Sequence, residues 1–223
     1  MRESQSARTG RRRVLQTAFH LLYRFGGRGY DPLVRVLFGS AWDEWRTATI
    51  PWLDQDPVLD LGCGTGVLLA QLSHLGIRSL GIDGSRSMLT AAHQRGARPL
   101  VRADAYALPL RGRSIGACVA TFPAPYILER AALDEVARVL RPGGRFVVLL
   151  GGAPSRPPGS LIRWLLRLAY GDQREIPVPK PSLLSHELLP GSWQLLELPA
   201  GQAVIWLAQR RPDAHGVSPE SSE

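Results

Sequence analysis

The sequence predicts an α/β protein built on a doubly wound, mostly parallel sheet, and three observations predict it. Short apolar runs of strand length alternate with segments of helical period from Pro57 onwards. The first run, "VLDLGCGTG", passes directly into a turn with glycines at 62, 64 and 66. A longer amphipathic segment, "ILERAALDEVARVL", ends at "PGG" and is followed at once by the apolar run "RFVVLL". Strands alternating with helices over short connections are the pattern of βαβ units, which lay strands parallel and put helices on both faces.

The elements follow in order. Residues 1–13 are polar and arginine-rich and are expected to be a disordered basic tail. Residues 14–52 read as a helical, aromatic segment broken by "GGRGYDP", with "AWDEW" placing Trp42 and Trp45 on one helix face for packing against the core. The arginines before "VLQTAFHLL" faintly suggest an export signal. His20 and Arg24 interrupt the apolar stretch and no small-residue cleavage site follows, so a helix with a basic flank is the better reading. "PVLDL" is a short buried strand, Val67 to Leu75 a helix, "SLGID" a strand and Ser85 to Gln94 a helix. "PLVRAD" and "IGACVATF" are further strands. Ile127, Leu128, Ala131, Leu133, Val136, Val139 and Leu140 then form the apolar stripe of one helix, which "PGG" stops. After the fifth strand, "GGAPSRPPGS" reads as a linker, "LIRWLLRLAYG" as a helix, and "WQLLELPAGQAVIWLAQ" as two strands around a turn; the stretch after Arg211 reads as a loose tail.

Composition bounds the function. The chain has 223 residues, 44% of them hydrophobic, a length and balance suited to one α/β domain with extensions. Its net charge is +8, and Lys180 is the only lysine among 27 basic residues. Most arginines are scattered, which fits solvated faces better than a nucleic-acid footprint, although the charge permits contact with RNA, an anionic membrane or an acidic substrate. Cys63 and Cys118 are the only cysteines, each in an apolar strand-like context, so a disulfide framework and a zinc site are unsupported and a cytoplasmic location fits. The five histidines show no ligand spacing, and no metal is expected; His20 and His186 are assigned packing or surface roles. No segment approaches the roughly 18 apolar residues of a membrane span.

The glycines point to a ligand. In an open parallel sheet, ligands bind beyond the carboxyl ends of the strands where the strand order reverses, and the loop after the first strand sits there. Gly62, Gly64 and Gly66 allow a sharp turn and a close approach, and the following helix aims its free N–H groups at whatever binds. A dinucleotide fingerprint needs G-x-G-x-x-G, but Val67 stands where the third glycine belongs. Asp83 ends the second strand about 20 residues on, where a carboxylate can accept ribose hydroxyls. Asp104 ends the third, where one can receive an adenine amino group. No lysine accompanies the loop, so it is not a P-loop, and the pattern suits an adenosine without a pyrophosphate.

At these residues the chain resembles the class I S-adenosylmethionine-dependent methyltransferases. "VLDLGCGTG" looks like that family's first motif, "GIDGSRSML" its second, "VRADAYALPL" its adenine-contacting segment, and "LDEVARVLRPGGRFVVL" its later helix–PGG–strand signature. The resemblance runs from about Trp52 to Leu150. It implies a Rossmann-like doubly wound seven-stranded sheet, mostly parallel with an antiparallel last strand, plus an N-terminal helical cap and a lid insertion after the fifth strand. The corresponding divisions are a cap at 14–52, a methyltransferase domain at 53–211 with the lid at 151–191, and disordered tails at 1–13 and 212–223. The cofactor implied is S-adenosylmethionine. Gly62, Cys63, Gly64, Thr65 and Gly66 would face its methionine part, Asp60 would orient the loop or meet its ammonium group, Asp83 with Gly84 would serve the ribose, Met88 would pack near the adenine, and Asp104 with the Ala105 N–H would read the adenine edge. Thr121 would lie at the end of the fourth strand beside the cofactor.

The acceptor side is less determined. Methyl transfer from a sulfonium needs positioning and water exclusion more than a catalytic triad, and a base only if the acceptor must lose a proton. Amino-directed members of the class often carry an acid or Asn, then Pro-Pro and an aromatic, where this chain has Thr121-Phe122-Pro123-Ala124, so methylation of a base amine is disfavoured. Phe122, Tyr126 and Trp164 are the acceptor-pocket candidates; Tyr126 serves equally well as a cap of the next helix. "FGGRGYDPLVRVLFGSAWDEWR" more loosely resembles the N-terminal cap of the quinone-biosynthesis methyltransferases, and in that reading Tyr30 and Arg46 close over the cofactor, with Arg46 meeting its carboxylate. Trp164 and Tyr170 with Arg163 and Arg167 suit either burial under a lid or a membrane surface. The reading is a methyltransferase acting on a small, apolar or lipid-like acceptor. An RNA methyltransferase, with nucleic acid bound by the basic tail, stands second, and a cofactor-binding protein without catalysis third.

Overall fold

The computed structural model describes residues 27–155 and 179–212. The expected tails, the first part of the cap, and the lid helix with Trp164 lie outside these residues. Two helices come first, α1 (Gly27–Phe38) and α2 (Ala41–Thr47), followed by a 3-10 turn at Ile50–Trp52. The alternation then runs β1 (Val58–Leu61), α3 (Val67–His74), β2 (Ser79–Asp83), α4 (Arg86–Gln94), β3 (Leu100–Arg102), β4 (Ile115–Thr121), α5 (Arg130–Val139) and β5 (Leu140–Pro154). A closing hairpin of β6 (Gly191–Leu198) and β7 (Gly201–Gln209) completes it.

The seven strands form one sheet in the order β3-β2-β1-β4-β5-β7-β6. β1 to β5 are mutually parallel, and β7 inserts antiparallel to both β5 and β6. The fold expected from the sequence is the fold found. β1 is buried at all four positions, as a central parallel strand covered on both faces must be. On one face Leu59, Leu61, Cys118, Phe146 and Val148 pack with Leu133, Val136 and Ala137 of α5. On the other, Val58, Val119 and Val147 meet Leu68 and Leu72 of α3, while Trp42 and Trp45 of α2 pack with Leu149 and Ile205.

Four local expectations are corrected. The break expected at "GGRGYDP" is a continuous helix, α1, because Pro32 sits close enough to the amino end to leave most of the bond ladder intact. The single helix expected from Ile127 to Leu140 is two elements. Pro125–Leu128 is a 3-10 turn, Glu129 is extended (φ −85°, ψ 137°), and Leu140 already belongs to β5. Ala131 is therefore exposed and Ala132 is buried in its place. The stretch expected to open the lid begins as strand. Gly151 to Pro154 continue β5 against Val204 to Gly201, and Gly152 has no side chain because the Trp45 ring fills that space, 2.5 Å from where a Cβ would stand. β3 stops at Arg102, so Asp104 lies two residues past the strand rather than at its end.

Candidate functional site

The sheet order reverses between β1 and β4, so the loops leaving their carboxyl ends diverge and open a cleft there. The cleft is lined by Arg46, the loop Gly62–Thr65, Val67, Leu68, Met88, Thr121 and Phe122. The glycine loop makes its floor. Gly62, Gly64 and Gly66 all have positive φ (75°, 53° and 74°), which turns the chain sharply from β1 into α3. Each glycine also meets a different neighbour. A Cβ on Gly62 would lie 2.5 Å from the Tyr126 hydroxyl, and one on Gly66 would lie 2.7 and 2.9 Å from the Ala97 and Ala92 methyls. At Gly64 the nearest atom is 4.0 Å away, so that position faces open space.

Three side chains hold this loop. Asp83 is 5% exposed, and its two carboxylate oxygens accept the N–H groups of Gly64 (2.9 Å) and Ser85 (2.7 Å). A strand-end acid was expected to pack against almost nothing; instead it ties the glycine loop to the start of α4. Burial pushes its carboxyl above the ordinary value, while the Ser85 and Gly64 bonds oppose that rise. Tyr126, in the 3-10 turn after β4, donates its hydroxyl to the Leu61 carbonyl at 3.2 Å. Thr65 donates its hydroxyl to Asp31 Oδ1 of α1 at 3.0 Å, a contact the sequence did not reveal.

Asp60 lies under the loop, 1% exposed, and neither carboxylate oxygen has a hydrogen-bond partner among the described residues. Burial pushes its carboxyl up to about 7; the Arg46 guanidinium draws it down and the Asp83 charge adds to the rise. Arg46 is itself buried at 6% exposure, reaches the cleft wall, and pairs with Asp43 at 3.0 Å. A buried carboxylate with no hydrogen-bond partner among the described residues, beside a cleft, is a place for a cationic or donor group. Burial pushes the thiol of Cys63, on the cleft wall, far above its ordinary range, so it is a packing group and not a nucleophile.

The roof comes from α2 and the loop after β4. Phe122 has a positive φ of 50°, uncommon for an aromatic residue, and its ring stacks on Trp42 with centroids 3.5 Å apart and planes 15° from parallel. Its amide is held by the Leu149 carbonyl at 2.8 Å. The residue expected on the acceptor side is thus pinned between β5 and the cap.

Among the expected residues, Arg46, Gly62, Cys63, Gly64, Thr65, Met88, Thr121 and Phe122 line the cleft. Asp60, Gly66 and Asp83 support it from behind or beside, and Tyr126 buttresses Gly62 without lining the wall. Asp104 is the clearest departure. It is exposed, and its carboxylate folds back onto the N–H of Tyr106 at 3.0 Å because β3 ends early and Arg102 turns to bond the Gly84 carbonyl. Gly84 and Ala105 are likewise outside the cleft wall. Tyr30 lies in α1, and its neighbour Asp31 makes the contact with the loop. Val67 and Leu68 were not expected; the apolar opening of α3 directly behind the loop was the available signal. His186 packs as expected, with Nδ1 accepting from Leu188 N at 3.1 Å and Nε2 facing Asp134 at 3.0 Å. Among the described residues no group of acids, histidines and cysteines is placed to hold a metal, and no helix is long and apolar enough to cross a membrane.

Comparison with known proteins agrees with this geometry. Residues 59–148 match the family described as Methyltransferase domain. The chain is 39% identical over 140 residues to the demethylmenaquinone methyltransferase of Corynebacterium kroppenstedtii, and the match covers 61% of each chain. It is 38% identical over 132 residues to a demethylmenaquinone methyltransferase of Mycobacterium sp. (strain KMS), covering 57% of each. This chain thus spans about three fifths of the length of the curated relatives it matches. A solved S-adenosylmethionine-dependent methyltransferase of Thermotoga maritima, described as a possible histamine N-methyltransferase, superposes with a TM-score of 0.61 at 20% identity, covering 86% of this chain and 99% of that one; it speaks for the fold alone. Residues 59–148 are thus similar to a methyltransferase domain, and the sheet in the order β3-β2-β1-β4-β5-β7-β6 has the fold of a solved S-adenosylmethionine-dependent methyltransferase.

Proposed function

We propose that the chain transfers a methyl group from S-adenosylmethionine to a small, lipid-like quinone acceptor. One observation carries the reading of the cofactor: the unpartnered, buried Asp60 carboxylate beside a glycine floor that is open at Gly64. An amino-acid moiety fits that chemistry, its ammonium group towards Asp60 and its carboxylate towards Arg46. Gly62, Gly64, Thr65 and Gly66 would bound the methionine part. Asp83 keeps lone pairs for the ribose hydroxyls while both its oxygens hold backbone N–H groups. Met88, buried and on the wall, suits the adenine face, and Asp104 with Ala105 would reach its edge only by reorienting the Asp104–Tyr106 turn.

When bound, the cofactor would supply an electrophilic methyl on sulfur to the reduced acceptor, which would release a proton to solvent as S-adenosylhomocysteine leaves. The chain's part is to orient and to exclude water. Thr121 and Phe122 line the cleft, and the Phe122 ring, stacked on Trp42, offers an aromatic group that suits a planar acceptor. The demethylmenaquinone methyltransferase names of the relatives point to the same class. Tyr126 completes the acceptor side in this reading, and the protein works from the cytoplasm. The two buried free cysteines support a reducing compartment.

The test uses methyl-labelled S-adenosylmethionine, with demethylmenaquinone reduced to its quinol by dithionite in detergent in one arm and total RNA in the other. Label in the quinone fraction is the expected result. Label in RNA that disappears when residues 1–13 are removed would replace this reading with the RNA one. Failure to bind S-adenosylhomocysteine in calorimetry would end both.

A further inference from the structure

Three left-handed glycines in five residues give the loop after β1 no local steric reason to keep one shape. Its shape must therefore come from outside: Tyr126 and the Ile82 carbonyl hold its start at Leu61 to Cys63, and three further ties bear on Gly64 to Gly66. Two belong to the sheet domain: Asp83 holds Gly64 N, and the Ala92 and Ala97 methyls close on Gly66. The third comes from the cap. Thr65 Oγ1 donates to Asp31 Oδ1 (3.0 Å), Arg95 Nη2 pairs with Asp31 Oδ2, and Arg95 Nε donates to the Thr65 carbonyl (3.0 Å). These bonds form a closed triangle of three elements. Asp31 stands in α1, Thr65 in the loop, and Arg95 at the carboxyl end of α4, the helix that carries Met88. Asp31 is half-buried, its side chain 19% exposed, whereas the Arg95 side chain is 38% exposed, so the Thr65 bond is the more sheltered of the two.

Both cap helices reach the core, α1 through the buried Val34 and the Phe38 ring stacked on Trp42, but they are tethered differently. α2 is anchored in the core by the fully buried Trp45, and Glu44 accepts from Ala200 N at 3.3 Å. Thr47 accepts from Gln71 Nε2 at 3.1 Å. α1 joins it through Gly39, which has a φ of +60° and no atom within 4 Å of a Cβ position. The geometry points to Asp31 as a positioning residue: α1 hinges at Gly39, and only when it is docked does Asp31 complete the set of ties that gives the glycine loop its binding shape. Cofactor affinity and cap docking are then thermodynamically coupled, each favouring the other by the same factor. This inference rests on the cofactor reading above.

The experiment measures S-adenosylhomocysteine affinity by calorimetry and backbone hydrogen exchange by mass spectrometry on the full chain and its variants. Asp31→Ala is expected to weaken binding by about ten-fold, within the usual range of such couplings. It should also speed exchange at the amides of Gly64 to Val67 in the ligand-free protein. Asp31→Asn keeps an acceptor for Thr65 but loses the ion pair, so it should fall between the two. Arg95→Ala combined with Asp31→Ala should weaken binding by less than the product of the single effects. In the unsubstituted chain the ligand should slow exchange across residues 27–38, and in Asp31→Ala that protection should vanish. Unchanged affinity and unchanged loop exchange in Asp31→Ala, with the fold intact by circular dichroism, would overturn the inference. An unsubstituted chain that does not bind the ligand would count against the cofactor reading instead; loop exchange in the ligand-free variant would still decide the tie.

Discussion

Replacing Asp60 by Asn should change how stability depends on pH, more than stability at any one pH. Burial raises the Asp60 carboxyl to about 7, whereas in the unfolded chain it returns to an ordinary carboxylate value. Between about pH 4 and pH 7 the folded state therefore keeps a proton that the unfolded state has released, and stability falls as pH rises through that window. The full difference is worth about 4 kcal/mol, of which about 2 to 3 kcal/mol falls between pH 5 and pH 8. Asp83, raised in the same direction, adds to the slope with the same sign. The lowered carboxyls of Asp134, Glu135 and Glu187 contribute stability as pH rises, but they titrate at lower pH, outside this window. Urea denaturation at pH 5 and pH 8 measures the slope. In Asp60→Asn most of it should disappear, leaving the Asp83 share. The cofactor's amino-acid group should flatten the slope of the unsubstituted protein as well, because a cation beside Asp60 stabilises its charged form. Equal stability of the unsubstituted protein at pH 5 and pH 8, or an unchanged slope in Asp60→Asn, would refute the reasoning.

Two further substitutions probe the loop. Asp83→Ala removes two backbone N–H bonds to a buried carboxylate, so the fold should lose roughly 2 to 4 kcal/mol in denaturant melts and S-adenosylhomocysteine should bind at least ten-fold more weakly; an unaltered midpoint would show that these bonds do not hold the loop. Gly66→Ala sets a methyl within 3 Å of the Ala92 and Ala97 methyls at a φ of +74°, which should cost about 1 to 3 kcal/mol and displace α4, seen as a lowered denaturation midpoint with weakened ligand binding.

The sheet and its glycine loop were legible because their causes are local. A buried parallel strand writes itself as an unbroken apolar run, and a turn that needs positive φ writes itself as glycine. The residues that line the floor, Gly62 to Thr65, could therefore be named from nine consecutive letters. Asp83 was legible in place but not in role. Its spacing from the glycines put it at the site, while its work of holding Gly64 and Ser85 depends on a loop shape that spacing does not encode. Asp104 lies past the end of β3 for a local reason: an aspartate can satisfy itself on the N–H two residues ahead, and here that turn forms instead of two more strand residues.

What the sequence hid is the contact between the cap and the sheet domain. Asp31 and Thr65 are 34 residues apart and Asp31 and Arg95 are 64 apart, and nothing in the composition of "GYDP" or "HQRGA" pairs them. The Trp42–Phe122 stack spans a similar gap, and its one local sign, a non-glycine residue at positive φ, is invisible until the backbone is known. Gly152 shows the same dependence from the other side. In the sequence it belongs to a Gly/Pro/Ser run and reads as linker; in the fold it is a strand residue emptied to admit Trp45. Each of these three contacts joins the helices before β1 to the cleft or to the strand beside it. The turn of the glycine loop is a local property of the chain, whereas the support of that loop is a property of packing, which joins residues far apart in the sequence.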